Sequence, residues 1–126
     1  MRMQRSFFWV EGCDAKLTLS GLVSEWLFSS GFWKNINAIH GTIFDQYEED
    51  EVDVSTLEVV ICALEKHISG LRALPAKNVE FVSGWTEGRV AIQSCVSKDV
   101  ALSELIDLRA FLIKAVANKS KMIFSL

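Results

Sequence analysis

The chain has 126 residues, of which half are hydrophobic, 23% are charged and one is a proline. This composition predicts a single folded domain over residues 1–126 and excludes a chain that is disordered throughout. The net charge of −3 at pH 7 argues against general binding to a phosphate backbone, so we predict no nucleic-acid partner.

The first quarter of the chain predicts a β-hairpin followed by a short helix. Residues 6–11 are rich in aromatic side chains, and residues 16–19 alternate polar with apolar after a turn-forming stretch at residues 12–15. From Ser20 the apolar residues follow helical spacing until residues 29–31. We therefore expect two paired strands and then a helix of about two to three turns.

Residues 32–47 carry conflicting signals. Their apolar side chains recur every three or four positions, which is typical of a helix. Asn35, Asn37, Gly41 and Thr42 are nevertheless poor helix formers. We follow the spacing and predict a helix over residues 32–47, with a strand as the alternative.

The clearest helix signal follows an acid-rich stretch. Residues 48–53 interrupt the apolar pattern, and Ser55 with Glu58 three residues later forms a Ser-x-x-Glu capping box. The helix that begins there is predicted to end near residues 69–70. Its apolar face is unusually wide, which indicates packing on more than one side.

Two strands, a long helix and a last strand complete the predicted order. The strands cover residues 79–82 and 90–96 and are joined by a glycine-containing loop at residues 83–89. Residues 99–118 show helical spacing, and the apolar residues 122–124 are expected to join the sheet. The order β-β-α-α-α-β-β-α-β predicts an α+β fold with helices packed on one face of a mainly antiparallel sheet.

The sequence lacks the common motifs of catalysis and metal binding. Cys62 and His67 lie on one predicted helix, about 140° apart around its axis, so they do not form a nucleophilic pair. Zinc-binding pairs, phosphate-binding glycine motifs and a nucleophile elbow are absent from the sequence. We predict that the protein is not an enzyme and has no catalytic residues, metal site or cofactor.

The cysteines and the apolar runs suggest a location in the cell. Cys13, Cys62 and Cys95 are irregularly spaced, which fits free, buried thiols in a reducing compartment. Acidic residues follow the N-terminal apolar run too soon for a signal peptide, and no run reaches the ~18 apolar residues of a membrane span. We expect a cytoplasmic protein with no membrane partner.

Charge placement is the feature that most suggests a function. Six carboxylates fall within nine residues, and removing their −6 from the net charge of −3 leaves +3 on the rest of the chain. They are Asp45, Glu48, Glu49, Asp50, Glu51 and Asp53, which we call the acidic segment. It is either a solvated loop that also favours the N-terminus of the next helix or a docking surface for a basic protein.

Aromatic residues favour the docking interpretation. Four tryptophans are many for so small a domain, and tryptophan beside charge is typical of binding hot spots. We expect Trp85 to be exposed in its glycine-flanked loop, and Trp26 and Trp33 to lie in the core. The predicted partner-binding residues are the acidic segment with Tyr47 and Trp85.

A small acidic α+β chain without catalytic motifs, in which Tyr47-Glu48-Glu49-Asp50-Glu51 precedes a capped helix, resembles the bacterial immunity proteins that neutralise polymorphic or contact-dependent toxins. The resemblance covers the general character of the chain and assigns no residue roles. It implies a cytoplasmic inhibitor that binds one cognate toxin domain, often a nuclease with a basic active site. Two alternatives stay open: a small-molecule-binding or enzymatic domain with a pocket lined by His40, Cys95 and Trp85, and a structural subunit that pairs with its own copy.

Overall fold

The computed structural model describes residues 3–126 and confirms the α+β fold and the order of the predicted elements. The first five elements are β1 (Ser6–Trp9), β2 (Lys16–Leu19), α1 (Gly21–Ser29), α2 (Phe32–His40) and β3 (Glu49–Val52). The other five are α3 (Val54–Ala73), β4 (Asn78–Trp85), β5 (Ala91–Ser97), α4 (Lys98–Ala117) and β6 (Met122–Ser125). Strand β3 is an addition to the predicted elements and lies within the acidic segment.

The strands form a four-stranded antiparallel sheet, in the order β2-β1-β6-β3, and a separate β4–β5 hairpin. The expectation that residues 122–124 join the sheet is confirmed, because Phe124 pairs with Phe8 on one side and with Asp50 on the other. The C-terminal strand therefore connects the N-terminal hairpin to β3.

Burial alternates along the strands and separates the two faces of the sheet. Phe8 and Phe124 are fully buried, and the Trp33 ring of α2 lies 6.1 Å from the Phe124 ring on that side. Buried residues of all four helices belong to the same core cluster as Phe8 and Phe124, so the helices pack on this inner face. We call the opposite, partly exposed side the outer sheet face; it carries Phe7, Trp9, Glu49, Glu51 and Ile123.

Helix α2 ends at His40, so the predicted helix over residues 32–47 is wrong beyond that point. Gly41 takes a left-handed backbone conformation with φ of 71°, which suits a residue without a Cβ. The Asn37 side chain donates to the Phe44 carbonyl at 2.8 Å and accepts from the Phe44 N–H at 2.9 Å. Three of the poor helix formers, Asn37, Gly41 and Thr42, thus build the turn that ends the helix, while Ile43 and Tyr47 are exposed.

The N-cap of helix α3 lies two residues before Ser55, the capping residue predicted from the sequence. This N-cap is Asp53, whose Oδ1 accepts from the Thr56 N–H at 2.9 Å and from the Ser55 hydroxyl at 3.2 Å. Because β3 ends at Val52, the chain enters the helix directly from the sheet. The predicted Ser55–Glu58 capping box is therefore wrong, because Asp53 caps the helix.

Two further expectations need correction. Strand β4 continues through Trp85, so this residue ends a strand and does not lie in the loop after it, although its predicted exposure is confirmed at 67%. All three cysteines are free, as predicted, but each is exposed and none is buried. Trp26 and Trp33 lie in the core, as expected.

Candidate functional site at the acidic edge strand

The acidic segment contains the edge strand of the sheet. Strand β3 pairs with β6 on one side, and within residues 3–126 no strand pairs with its other side. Val52 is buried whereas Glu49 and Glu51 are exposed, so the strand directs these two carboxylates away from the core. An edge strand presents unpaired backbone groups, and charge is a common protection against unwanted pairing there.

Three of the six carboxylates, Asp45, Asp53 and Glu51, have partners within the molecule. Asp45 accepts from the Gln46 N–H at 2.8 Å. Asp53 caps α3, and its hydrogen bonds with Thr56 and Ser55 lower the pKa of the carboxyl below its usual value. Glu51 Oε1 lies 3.1 Å from Lys121 Nζ in an exposed ion pair. The internal role of Asp53 agrees with the helix-terminal interpretation of the acidic segment.

Asp50 differs from its neighbours because its side chain points toward the inner face. Its Oδ2 atom is buried and has no hydrogen-bond partner among the described residues. Burial, and then the nearby Glu48 carboxylate, raise the pKa of Asp50 above its usual value. The carboxylate borders an edge cleft of about 420 Å³, which is lined by Thr42, Ile43, Phe44, residues 50–53, Thr56 and Lys121.

The remaining acidic residues, Asp45, Glu48 and Glu49, are exposed. Tyr47 lies between them in the chain and is 65% exposed. Its φ of 64° is rare for a residue with a side chain and marks a tight turn immediately before β3. Five of the predicted site residues are therefore exposed in β3 or in the segment just before it: Asp45, Tyr47, Glu48, Glu49 and Glu51.

Trp85 belongs to a different part of the fold. It lies near the free end of the β4–β5 hairpin, which is a sheet separate from the one that contains β3. The tryptophan on the same sheet as β3 is Trp9, which pairs with Ile123, and Ile123 pairs with Glu51. Neighbouring strands are about 4.8 Å apart, so Trp9 and Glu51 are about 10 Å apart on the outer sheet face. Sequence reasoning missed Trp9 because only strand pairing places it there.

A second concave feature lies between α2 and α3. This α2–α3 groove has a volume of about 600 Å³ and is lined by Phe32, Asn35, Ile36, Ile39, His40, Ser55, Glu58, Val59, Cys62, Ala63, Lys66 and His67. The His67 ring packs against Trp26 and Phe32, with centroids at 4.9 and 5.2 Å, and burial lowers the pKa of His67. The wide apolar face of α3 was the sequence signal for this groove.

The alternative pocket predicted from the sequence is not assembled as expected. His40 lines the α2–α3 groove, whereas Cys95 and Trp85 lie on the β4–β5 hairpin and do not line it. Within the described part of the chain, no three histidine, cysteine or carboxylate side chains are grouped to hold a metal ion.

No family model, curated protein or solved structure matches this chain. Among the helices within residues 3–126, none combines the length and apolar character needed to cross a membrane.

Proposed function

We propose that this protein is an immunity-type inhibitor that binds a basic partner protein through β3 and the turn before it. The observation that carries the proposal is the exposure of Glu48 and Glu49 at a strand edge that no other described strand covers. Clustered carboxylates accelerate encounter with a basic surface, and an open strand edge offers backbone groups for pairing.

Aromatic residues beside the carboxylates support an interface at this edge. Tyr47 is next to Glu48 and largely exposed, and Trp9 shares the outer sheet face with Glu51. Tyrosine and tryptophan are enriched among the residues that dominate binding energy, because they bury a large area and keep a polar group. The carboxylates would increase the association rate and select a basic partner, and the rings would provide most of the binding free energy.

In this proposal the partner is a toxin domain with a basic substrate-binding surface, such as a nuclease, and the two proteins meet in the cytoplasm. The carboxylates of β3 occupy the positions that nucleic-acid phosphates would take. Inhibition then results from blocked access and charge neutralisation. The inhibitor itself performs no chemistry and requires no cofactor.

The test compares two variants with equal net charge. One carries Glu48→Lys, Glu49→Lys and Glu51→Lys on β3 and the turn before it, which we call the acidic edge. The matched control carries Glu80→Lys, Glu87→Lys and Asp107→Lys at exposed positions outside it. Each is expressed with an affinity tag in the native host, and captured proteins are identified by mass spectrometry.

We expect the wild-type chain and the control to capture the same basic protein and the edge variant to lose it. With that protein purified, its association rate should fall at least about tenfold for the edge variant at low salt. The captured protein should also be toxic when it is produced alone and harmless when this chain is produced with it. Equal capture by both variants, or a captured protein without toxicity, would contradict the proposal.

A further inference from the structure

The α2–α3 groove has walls with helical periodicity. On α3 the lining residues are Ser55, Glu58, Val59, Cys62, Ala63, Lys66 and His67, and on α2 they are Phe32, Asn35, Ile36, Ile39 and His40. Each set recurs every three or four positions, so each lies along one side of its helix. Two such rows beside each other form the kind of surface into which a third helix packs its own ridges.

The groove has the length of a short helix. The lining residues of α3 extend from residue 55 to residue 67, which corresponds to about 18 Å along the helix axis. An occupying helix of about 12 residues has the same length. Its apolar residues, at positions i, i+3 or i+4, and i+7, would meet both walls.

The groove presents apolar surface to solvent. Ile36 is buried at its base, whereas Ile39 at its rim is 75% exposed. Ile43, which is 76% exposed, lines the edge cleft. Isolated exposed apolar residues are common, but exposed isoleucines beside a groove supply the apolar surface that a docking helix can bury.

Charge distinguishes the two ends of the groove. At the N-terminal end of α3, Ser55 and Glu58 line the groove. The edge cleft at the same end contains three carboxylates, Asp50, Glu51 and Asp53, and one cation, Lys121, so this end is acidic on balance. At the other end, Lys66 is the charged residue among the lining groups. An occupant with positive charge toward the acidic end and apolar residues along its length complements this surface.

We propose that the α2–α3 groove binds an amphipathic helix of the basic partner, with the basic residues of that helix directed toward the N-terminal end of α3. This inference rests on the proposed function, because it assigns the groove and the acidic edge to the same partner. It adds that the partner presents an amphipathic helix and that the residues lining the α2–α3 groove bind this helix.

The test uses a 14-residue peptide of leucine and lysine only, with the leucines at helical spacing. A control peptide of the same composition alternates the two residues, which disrupts the helical pattern.

Cys62 lines the groove, whereas Cys13 and Cys95 lie elsewhere, and all three thiols are exposed and free. Mass spectrometry can follow the rate at which N-ethylmaleimide adds to each cysteine of the wild-type chain. The cysteine whose modification slows therefore locates the bound peptide.

We expect the helical-pattern peptide to slow modification of Cys62 about tenfold, with no change at Cys13 and Cys95, and the control peptide to have no effect. Ile39→Glu should weaken binding at least about tenfold, while Ile113→Glu, at an exposed isoleucine on α4, should not. Glu58→Lys should weaken binding more than Asp107→Lys, which makes the same charge change at an exposed position of α4.

Equal slowing at all three cysteines, or no protection of Cys62, would overturn the helix assignment. Protection of Cys62 by the apolar dye anilinonaphthalene sulfonate and not by the peptide would also overturn it and indicate a small-molecule site. These outcomes do not depend on the charge-reversal capture experiment. A failure of the groove inference can therefore be told apart from a failure of the proposed function.

Discussion

Lys121 Nζ lies 3.1 Å from Glu51 Oε1, so one carboxylate of the acidic edge is already paired with a cation of the same chain. The hydrogen bond to Glu51 raises the pKa of Lys121 above its usual value of 10.5, because the bond favours the charged amine. Both side chains are exposed, and exposed ion pairs contribute little to stability. The pair therefore affects the charge that a partner meets more than it affects the fold.

Lys121→Gln should increase the affinity for a basic ligand because it releases Glu51. We expect hexalysine to bind about twice as tightly at low ionic strength, with the melting temperature nearly unchanged. Lys114→Gln removes the same charge from an exposed position on α4 and is the matched control. Isothermal titration calorimetry measures both, and equal effects of the two substitutions would show that only net charge matters.

Asp50→Asn should stabilise the protein at neutral pH. The pKa of Asp50 is raised above 3.8 in the folded chain, so folding favours the protonated carboxyl. Above pH 3.8 the unfolded chain is ionised at this residue, and the charged carboxylate lowers the free energy of unfolding. The gain in melting temperature should therefore be present at pH 7 and largely lost at pH 3, where the carboxyl is protonated in both states. Calorimetric melting of wild type and variant at the two pH values tests this, and an equal gain at both would contradict it.

His67 should make the fold less stable as the pH falls. Burial lowers its pKa in the folded state, so the unfolded chain binds a proton first as the pH falls below 6.5. His67→Phe removes the titrating group and keeps an aromatic ring beside Trp26 and Phe32. In urea denaturation, the variant should gain stability relative to wild type between pH 7.5 and pH 5; a constant difference would contradict the assignment.

Glu104 connects α4 to the start of α1. Its carboxylate accepts from the Ser20 N–H at 2.6 Å and from the Ser20 hydroxyl at 2.8 Å, and Ser20 is the N-cap of α1. Glu104→Ala leaves the partly buried Ser20 N–H without this acceptor and should lower the free energy of unfolding by about 2 kcal/mol. Glu104→Gln retains an acceptor oxygen and should cost less. Urea denaturation ranks the two variants, and an equal loss would indicate that packing explains the effect.

Two glycines should respond to alanine in opposite directions. Gly41 has a φ of 71°, where a Cβ is unfavourable, so Gly41→Ala should destabilise the protein by about 1 kcal/mol. Gly70 lies within α3 with no atom within 4 Å of an added Cβ, so Gly70→Ala should stabilise it by about 0.5–1 kcal/mol. Thermal melting of both variants is sufficient, and a shift of the same sign in both would contradict the backbone explanation.

The local sequence determined α4 and the β1–β2 hairpin, because the pattern that forms each of them lies within the element itself. The apolar spacing within residues 99–118 gives one helical face, and α4 forms within one residue of the predicted bounds. The β1–β2 hairpin also follows from its own alternation and turn. The exposure of Trp85 could be predicted in the same way, because it lies close to the end of a hairpin.

Tertiary structure decided the candidate site. Glu49, Asp50 and Glu51 have little strand preference of their own, and they form β3 because residues 122–125, more than 70 positions later, pair with them. The same pairing directs Asp50 inward, places Lys121 beside Glu51 and aligns Trp9 with the acidic edge. Strand pairing and helix packing depend on contacts distant in sequence, so composition and spacing could indicate an acidic surface but could not supply its shape.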